Sequence, residues 1–80
     1  MTVSALLFAS YADVLGRRSV ALELSAGATV ADALNEIRAL PGGERLPAQP
    51  LVAVNLKYAR ATQVLASGDE MAVIPPVAGG

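Results

Sequence analysis

The chain of 80 residues contains neither cysteine nor histidine. Thiolate nucleophiles, sulfur ligands and disulfides are therefore excluded, and so are the usual general base and the commonest metal ligand. Asp69 and Glu70 remain as a carboxylate pair, but they are sequence neighbours at a predicted turn and do not converge on a site. Chemistry is expected instead in the segment Ile74–Gly80, "IPPVAGG", where no side chain is reactive. Pro75 and Pro76 favour polyproline II geometry, which would extend Pro75–Gly80 by roughly 19 Å at about 3.1 Å per residue. Gly79 and Gly80 have no Cβ and fit a channel too narrow for any other residue. The α-carboxylate of Gly80 is then the one unhindered functional group, ionised at neutral pH. A carboxylate is a poor electrophile. Adenylation by a partner would turn it into an acyl-phosphate anhydride that a sulfur or amine nucleophile can attack.

Composition narrows the partners. Six basic and seven acidic residues give a net charge of −1, with no cluster of either sign. Phosphate backbones require concentrated Lys and Arg, so no nucleic-acid partner is expected. The apolar fraction of 54% exceeds the ordinary range of about 45–50%, consistent with apolar surface reserved for a protein partner. The run "VSALLFASYA" has the look of a signal core, yet no Lys or Arg precedes it and Asp13, Arg17 and Arg18 follow closely. It is also too short to span a bilayer as a helix. A buried first strand, no membrane partner and a cytoplasmic location are the expectations.

The elements that must carry the tail can be read in order. Val3 to Ala9 is apolar on both faces and reads as a central strand. Ser10 is placed as N-cap of a short helix, Tyr11 to Leu15, closed by Gly16. "SVALEL" alternates, with Val20, Leu22 and Leu24 on one face, as in a half-buried strand. Thr29 and Asp32 form a capping-box-like pair. Val30, Ala33, Leu34, Ile37 and Leu40 then make one helical stripe, with Asn35, Glu36 and Arg38 outward. Pro41-Gly42-Gly43 reads as a stop signal, and the proline-bearing stretch to Pro50 as a loop. "LVAVN", a short strand near Tyr58-Ala59, and "EMAVI" complete the pattern. Pro75 and Pro76 cannot donate to a ladder and must end the last strand. One amphipathic helix is available to cover one face of the sheet. The predicted fold is α+β, a ubiquitin-like β-grasp: a domain over residues 1–74 and an extended tail over 75–80.

Four stretches, "LLFASYADVLG", "TVADAL", "VAVN" and "LASGDEMAVIPPVAGG", together resemble the small subunit of molybdopterin synthase, the MoaD branch of the β-grasp sulfur carriers. The resemblance covers essentially the whole chain. Its most specific part is Gly68-Asp69-Glu70, an apolar strand, and Pro75-Pro76-Val77-x-Gly79-Gly80. Related thiamine-pathway carriers also end in Gly-Gly but lack the Pro-Pro-Val lead. One departure is visible: the first helix of the family often carries a basic residue after "FA", and Tyr11-Ala12-Asp13 has none.

The resemblance implies a mechanism. An adenylating enzyme uses ATP and Mg²⁺ to convert the Gly80 carboxylate into an acyl adenylate, and a sulfur donor replaces AMP to leave a thiocarboxylate. Pro75, Pro76, Val77, Ala78 and Gly79 then carry Gly80 into the large catalytic subunit. There sulfur passes to cyclic pyranopterin monophosphate, and two carrier turnovers build the dithiolene. The implied assembly is a heterotetramer of two small and two large subunits. No tightly bound cofactor or metal is implied for this chain, which is not catalytic alone. Strand parity puts Phe8 with Leu6 and Ser4, opposite Val3, Ala5 and Leu7. Phe8, Tyr58 and Ile74 are accordingly expected to form a docking patch, the competing reading of Phe8 being a core residue. Asp69 and Glu70 read as structural, with Gly68 supplying the turn; Lys57 and Arg60 are available to acidic groups of a partner. Two other readings are a sulfur carrier for another pathway, such as thiamine, and a ubiquitin-like modifier conjugated to lysines through Gly80. A plain β-grasp interaction module with an incidental tail is the blandest.

Overall fold

A computed structural model describes residues 1–75. Its strands are β1 (Thr2–Leu7), β2 (Ser19–Glu23), β3 (Leu51–Val54), β4 (Lys57–Ala59) and β5 (Glu70–Ile74). Its helices are α1 (Ser10–Leu15) and α2 (Val30–Arg38), with a 3₁₀ turn at Gly43–Arg45. The sheet order is β2-β1-β5-β3-β4. β1 and β5 run parallel at the centre, and the other neighbours are antiparallel. This is the β-grasp fold expected from the sequence. Among the described residues no helix is long and apolar enough to cross a membrane.

The core follows from strand alternation meeting one helical stripe. Val3, Ala5 and Leu7 of β1, Val20 and Leu22 of β2, Val52 and Val54 of β3, and Met71 and Val73 of β5 are buried on one face. Val30, Ala33, Leu34 and Ile37 of α2 pack among them. Thr29 caps α2 as expected: its Oγ1 accepts from the Asp32 N–H at 3.3 Å, and its own N–H donates to Asp32 Oδ2 at 2.9 Å. The long β4–β5 connection is tied to the same helix start, with Val30 N–H donating to Gln63 O and Leu65 N–H to Ala28 O.

Several local expectations change. β1 stops at Leu7, because Ala9 takes a positive φ of 48° and turns the chain. Ala9, not Ser10, is the N-cap of α1: its carbonyl accepts from the Ala12 and Asp13 N–H groups, and no side chain caps the helix. β1 is paired on both edges, yet Thr2 and Ser4 are exposed and Leu6 is half-buried, so only one of its faces is covered. Arg38 does not simply face water; its guanidinium donates to Pro47 O at 2.7 Å and Ala48 O at 2.6 Å, holding down the loop before β3. Gly42-Gly43 is more than a stop signal. A Cβ on Gly42 would lie 2.3 Å from Val14 O of α1, and one on Gly43 would lie 2.2 Å from Ile37 O of α2. The pair is a contact point where two helices and the 3₁₀ turn meet, and Leu46 just beyond it enters the core.

Candidate functional site: an open apolar sheet face at the end of β5

The face of the sheet away from α2 is organised by register. Leu6 pairs with Ala72, Ala72 with Ala53, and Ala53 with Tyr58, so one row crosses β1, β5, β3 and β4. Two residues further along, Ile74 pairs with Leu51, and Phe8 follows Leu6 at the same parity. Alanines at the middle of the first row leave space between larger side chains. The result is a depression of about 230 Å³ lined by Leu6, Phe8, Leu56, Tyr58, Ala72 and Ile74, with Ala53 and Glu70 completing its wall. Phe8 is 47% exposed and Tyr58 75% exposed. Phe8 is therefore not a core residue, and the three side chains singled out from the sequence line one surface. Two larger grooves, about 680 Å³ and 480 Å³, contain none of the three.

Glu70, Asp69 and Asn55 form the polar margin of this face. Asp69 Oδ2 accepts from the Ala66 N–H at 2.8 Å, and its Oδ1 accepts from the Asn55 side-chain amide at 2.9 Å. Those two bonds, the backbone one first, hold the Asp69 carboxyl below its ordinary value. Asn55 Oδ1 accepts in turn from the Glu70 N–H at 3.0 Å, and the Asn55 N–H donates to Glu70 O at 2.8 Å. Gly68, at φ 85°, supplies the left-handed turn that brings Asp69 into place. Asp69 thus has the structural part read from the sequence, whereas Glu70 also reaches the depression.

Pro75 follows β5 and is half-buried. Pro76, Val77, Ala78, Gly79 and Gly80 lie outside the described residues. Sequence reasoning missed Leu56, at the tip of the β3–β4 hairpin and 95% exposed. The signal was available: "VAV" and "KYA" enclose a connection of two residues, Asn55 and Leu56, which must present both to solvent. Among the described residues no group of three or more His, Cys, Asp and Glu is placed to hold a metal ion.

Five strands in this order, one helix across one face and an open apolar opposite face define a ubiquitin-like β-grasp protein. More particularly, the chain belongs to the ThiS family, whose pattern matches residues 5–80. It is 35% identical to the molybdopterin synthase sulfur carrier subunit of Chlamydomonas reinhardtii, over 100% of both chains. It is equally similar to small archaeal modifier protein 1 of Haloferax volcanii, whose crystal structure superposes with a TM-score of 0.88 at 35% identity over 100% of both chains. A chain 17% identical, from a Helicobacter pylori complex of subunits 1 and 2 of molybdopterin-converting factor, shares the fold with a TM-score of 0.74 over 100% of both chains.

Proposed function

We propose that this protein is a sulfur carrier whose Gly80 carboxylate is activated and sulfurated by one partner and spent inside another. One observation supports the reading above the rest. Phe8, Tyr58 and Ile74 surround one open depression, and β5 ends at Ile74 beside it, with only six residues between Ile74 and the end of Gly-Gly. A protein docked on this face is held within reach of the tail.

In the proposed cycle a Gly80 carboxylate oxygen attacks the α-phosphorus of Mg²⁺-bound ATP and displaces pyrophosphate. A sulfur nucleophile of the activating partner then adds to the acyl carbon and expels AMP. With a persulfide as that nucleophile the product is an acyl disulfide. Attack of a second thiol of the partner on the donor sulfur supplies the two electrons, releasing a C-terminal thiocarboxylate and leaving the donor as a disulfide. All ATP, Mg²⁺ and acid–base chemistry belongs to the partner, since the chain offers neither Cys nor His. Gly79 and Gly80 admit the end to a narrow channel. The acceptor is proposed to be the large subunit of molybdopterin synthase, in a heterotetramer of two small and two large subunits. Cyclic pyranopterin monophosphate would receive the sulfur there. The Chlamydomonas relative supports that choice.

A second reading is favoured by the Haloferax relative: a modifier whose activated Gly80 acylates lysines of other proteins. Activation is common to both, and the step after it separates them. Intact-mass analysis after expression with the adenylating enzyme and a sulfide source is the test. Replacement of one oxygen by sulfur in the chain supports the carrier, whereas isopeptide-linked conjugates without a thiocarboxylate form overturn it in favour of the modifier.

A further inference from the structure

The hairpin between β3 and β4 is built against its own conformational preference. Val54 pairs with Lys57, so Asn55 and Leu56 alone make the turn. Both have positive φ, 49° and 73°. Two left-handed residues in a two-residue hairpin loop correspond to a type I′ turn, for which Asn-Gly is the strongest choice. Asn55 fits this requirement and is fixed by Asp69 and Glu70. Leu56 does not: a γ-branched side chain in the left-handed region is disfavoured. Nothing in the fold compensates, because the side chain is 95% exposed. A glycine there would relieve the backbone and remove an exposed apolar group. Residues that break a local rule without stabilising the fold are concentrated at working sites.

The direction of Leu56 locates that work. It lines the same depression as Phe8, Tyr58 and Ile74, on a turn that two side-chain bonds hold to the start of β5. We propose that Leu56 is a specificity-determining anchor, inserted into an apolar pocket of the adenylating enzyme that activates Gly80. The inference rests on the proposed activation of Gly80 and adds a residue and a pocket to it. The occupant follows from reach: the five residues beyond Pro75 can extend at most about 3.6 Å each, so an enzyme acting on Gly80 must stand within about 18 Å of the end of β5, beside the face that Leu56 lines. A second copy of the chain seated on this face would block that approach. Activation is also the step shared by carrier and modifier, so the proposal does not depend on which acceptor follows.

The test uses the full chain with its adenylating enzyme, following ATP–pyrophosphate exchange as a function of carrier concentration, with thermal unfolding of each variant in parallel. Leu56→Gly is expected to raise Tm by roughly 3–5 °C. It should also raise the KM for the carrier about 10- to 100-fold, the scale of burying one leucine side chain, with kcat little changed. Leu56→Met, which keeps the apolar reach, should restore KM to within a few-fold of the original. An unchanged KM in Leu56→Gly overturns the anchor, as does a fall in Tm, which would make the leucine a folding residue. A dimer of the parent chain that Leu56→Gly dissolves overturns the choice of occupant. Absence of any exchange with the parent chain overturns the activation of Gly80 itself, and is distinguishable because it does not depend on residue 56.

Discussion

The carboxylate of Asp69 joins the turn before β5 to the hairpin that carries Leu56 and Tyr58, one oxygen on the Ala66 N–H and the other on the Asn55 amide. Both bonds favour the ionised form, so the folded pKa lies below the ordinary 3.8. The unfolded chain therefore binds the proton first as pH falls, and folding stability must fall with it. The contribution of Asp69 is complete above about pH 4 and is lost as pH drops through the lower folded pKa. Asp69→Asn retains an acceptor for Ala66 but sets an amide donor against the Asn55 donor. Denaturant unfolding at several pH values is the measurement. The variant should be less stable than the parent at neutral pH, with a gap that narrows below pH 4 as the parent loses its carboxylate. A gap independent of pH would remove ionisation of Asp69 from the account. The consequence for function is positional: without this bond the hairpin loses one of the ties that aim Tyr58 and Leu56 at the depression.

At the scale of elements, α2 was the most legible part of the sequence, because its signals are short-range. Thr29 and Asp32 are three residues apart, and Val30, Ala33, Leu34 and Ile37 repeat within two turns, so no distant neighbour was needed to read them. Strand parity was legible for the same reason, and it placed Phe8 and Ile74 on the open face while the site was still only a string of letters. Ala9, Arg38 and Gly42-Gly43 were misread because their parts are set by residues far along the chain or by the close approach of another element. Gly43 is the sharpest case. It is buried where the end of α2 passes, and a Cβ would stand 2.2 Å from Ile37 O and 2.7 Å from Arg38 Cα. Those obstacles are backbone and cannot rotate away. Gly43→Ala should therefore cost about 2–3 kcal/mol as an overpacking substitution, a large part of what holds an 80-residue domain folded. Thermal unfolding should show a Tm lower by roughly 10–20 °C. A shift of only a degree or two would mean that the turn can move away from α2 at little cost.

At the scale of the molecule, the proposed cycle separates docking from chemistry along the chain, and one substitution and one deletion with opposite signatures test this separation. In the proposed cycle the sheet binds through Phe8, Tyr58, Ile74 and Leu56, whose side chains contribute little to the core because they stand on the face that α2 does not cover. The reacting atoms, in the proposed cycle, belong to Gly80 alone. Phe8→Asp places a charge on an already exposed position, so the fold should survive with Tm within a few degrees, the usual range for surface changes. The same charge would have to be desolvated in any complex that covers this face, which should weaken binding about 100-fold or more. Deletion of Gly80 leaves the sheet face intact, so the truncated chain should still bind both partners with affinity close to that of the parent. It should yield no thiocarboxylate and transfer no sulfur, since the carboxylate offered by Ala78-Gly79 stops one residue short of the reaction centre. Calorimetric titration of each variant against the adenylating enzyme, followed by intact-mass analysis of the product, separates the two effects. If Phe8→Asp unfolds the chain, the open face is part of the core and the docking role assigned to it is wrong. If the Gly80 deletion is still sulfurated and active, the reacting carboxylate is not that of Gly80, and the tail serves only as a spacer.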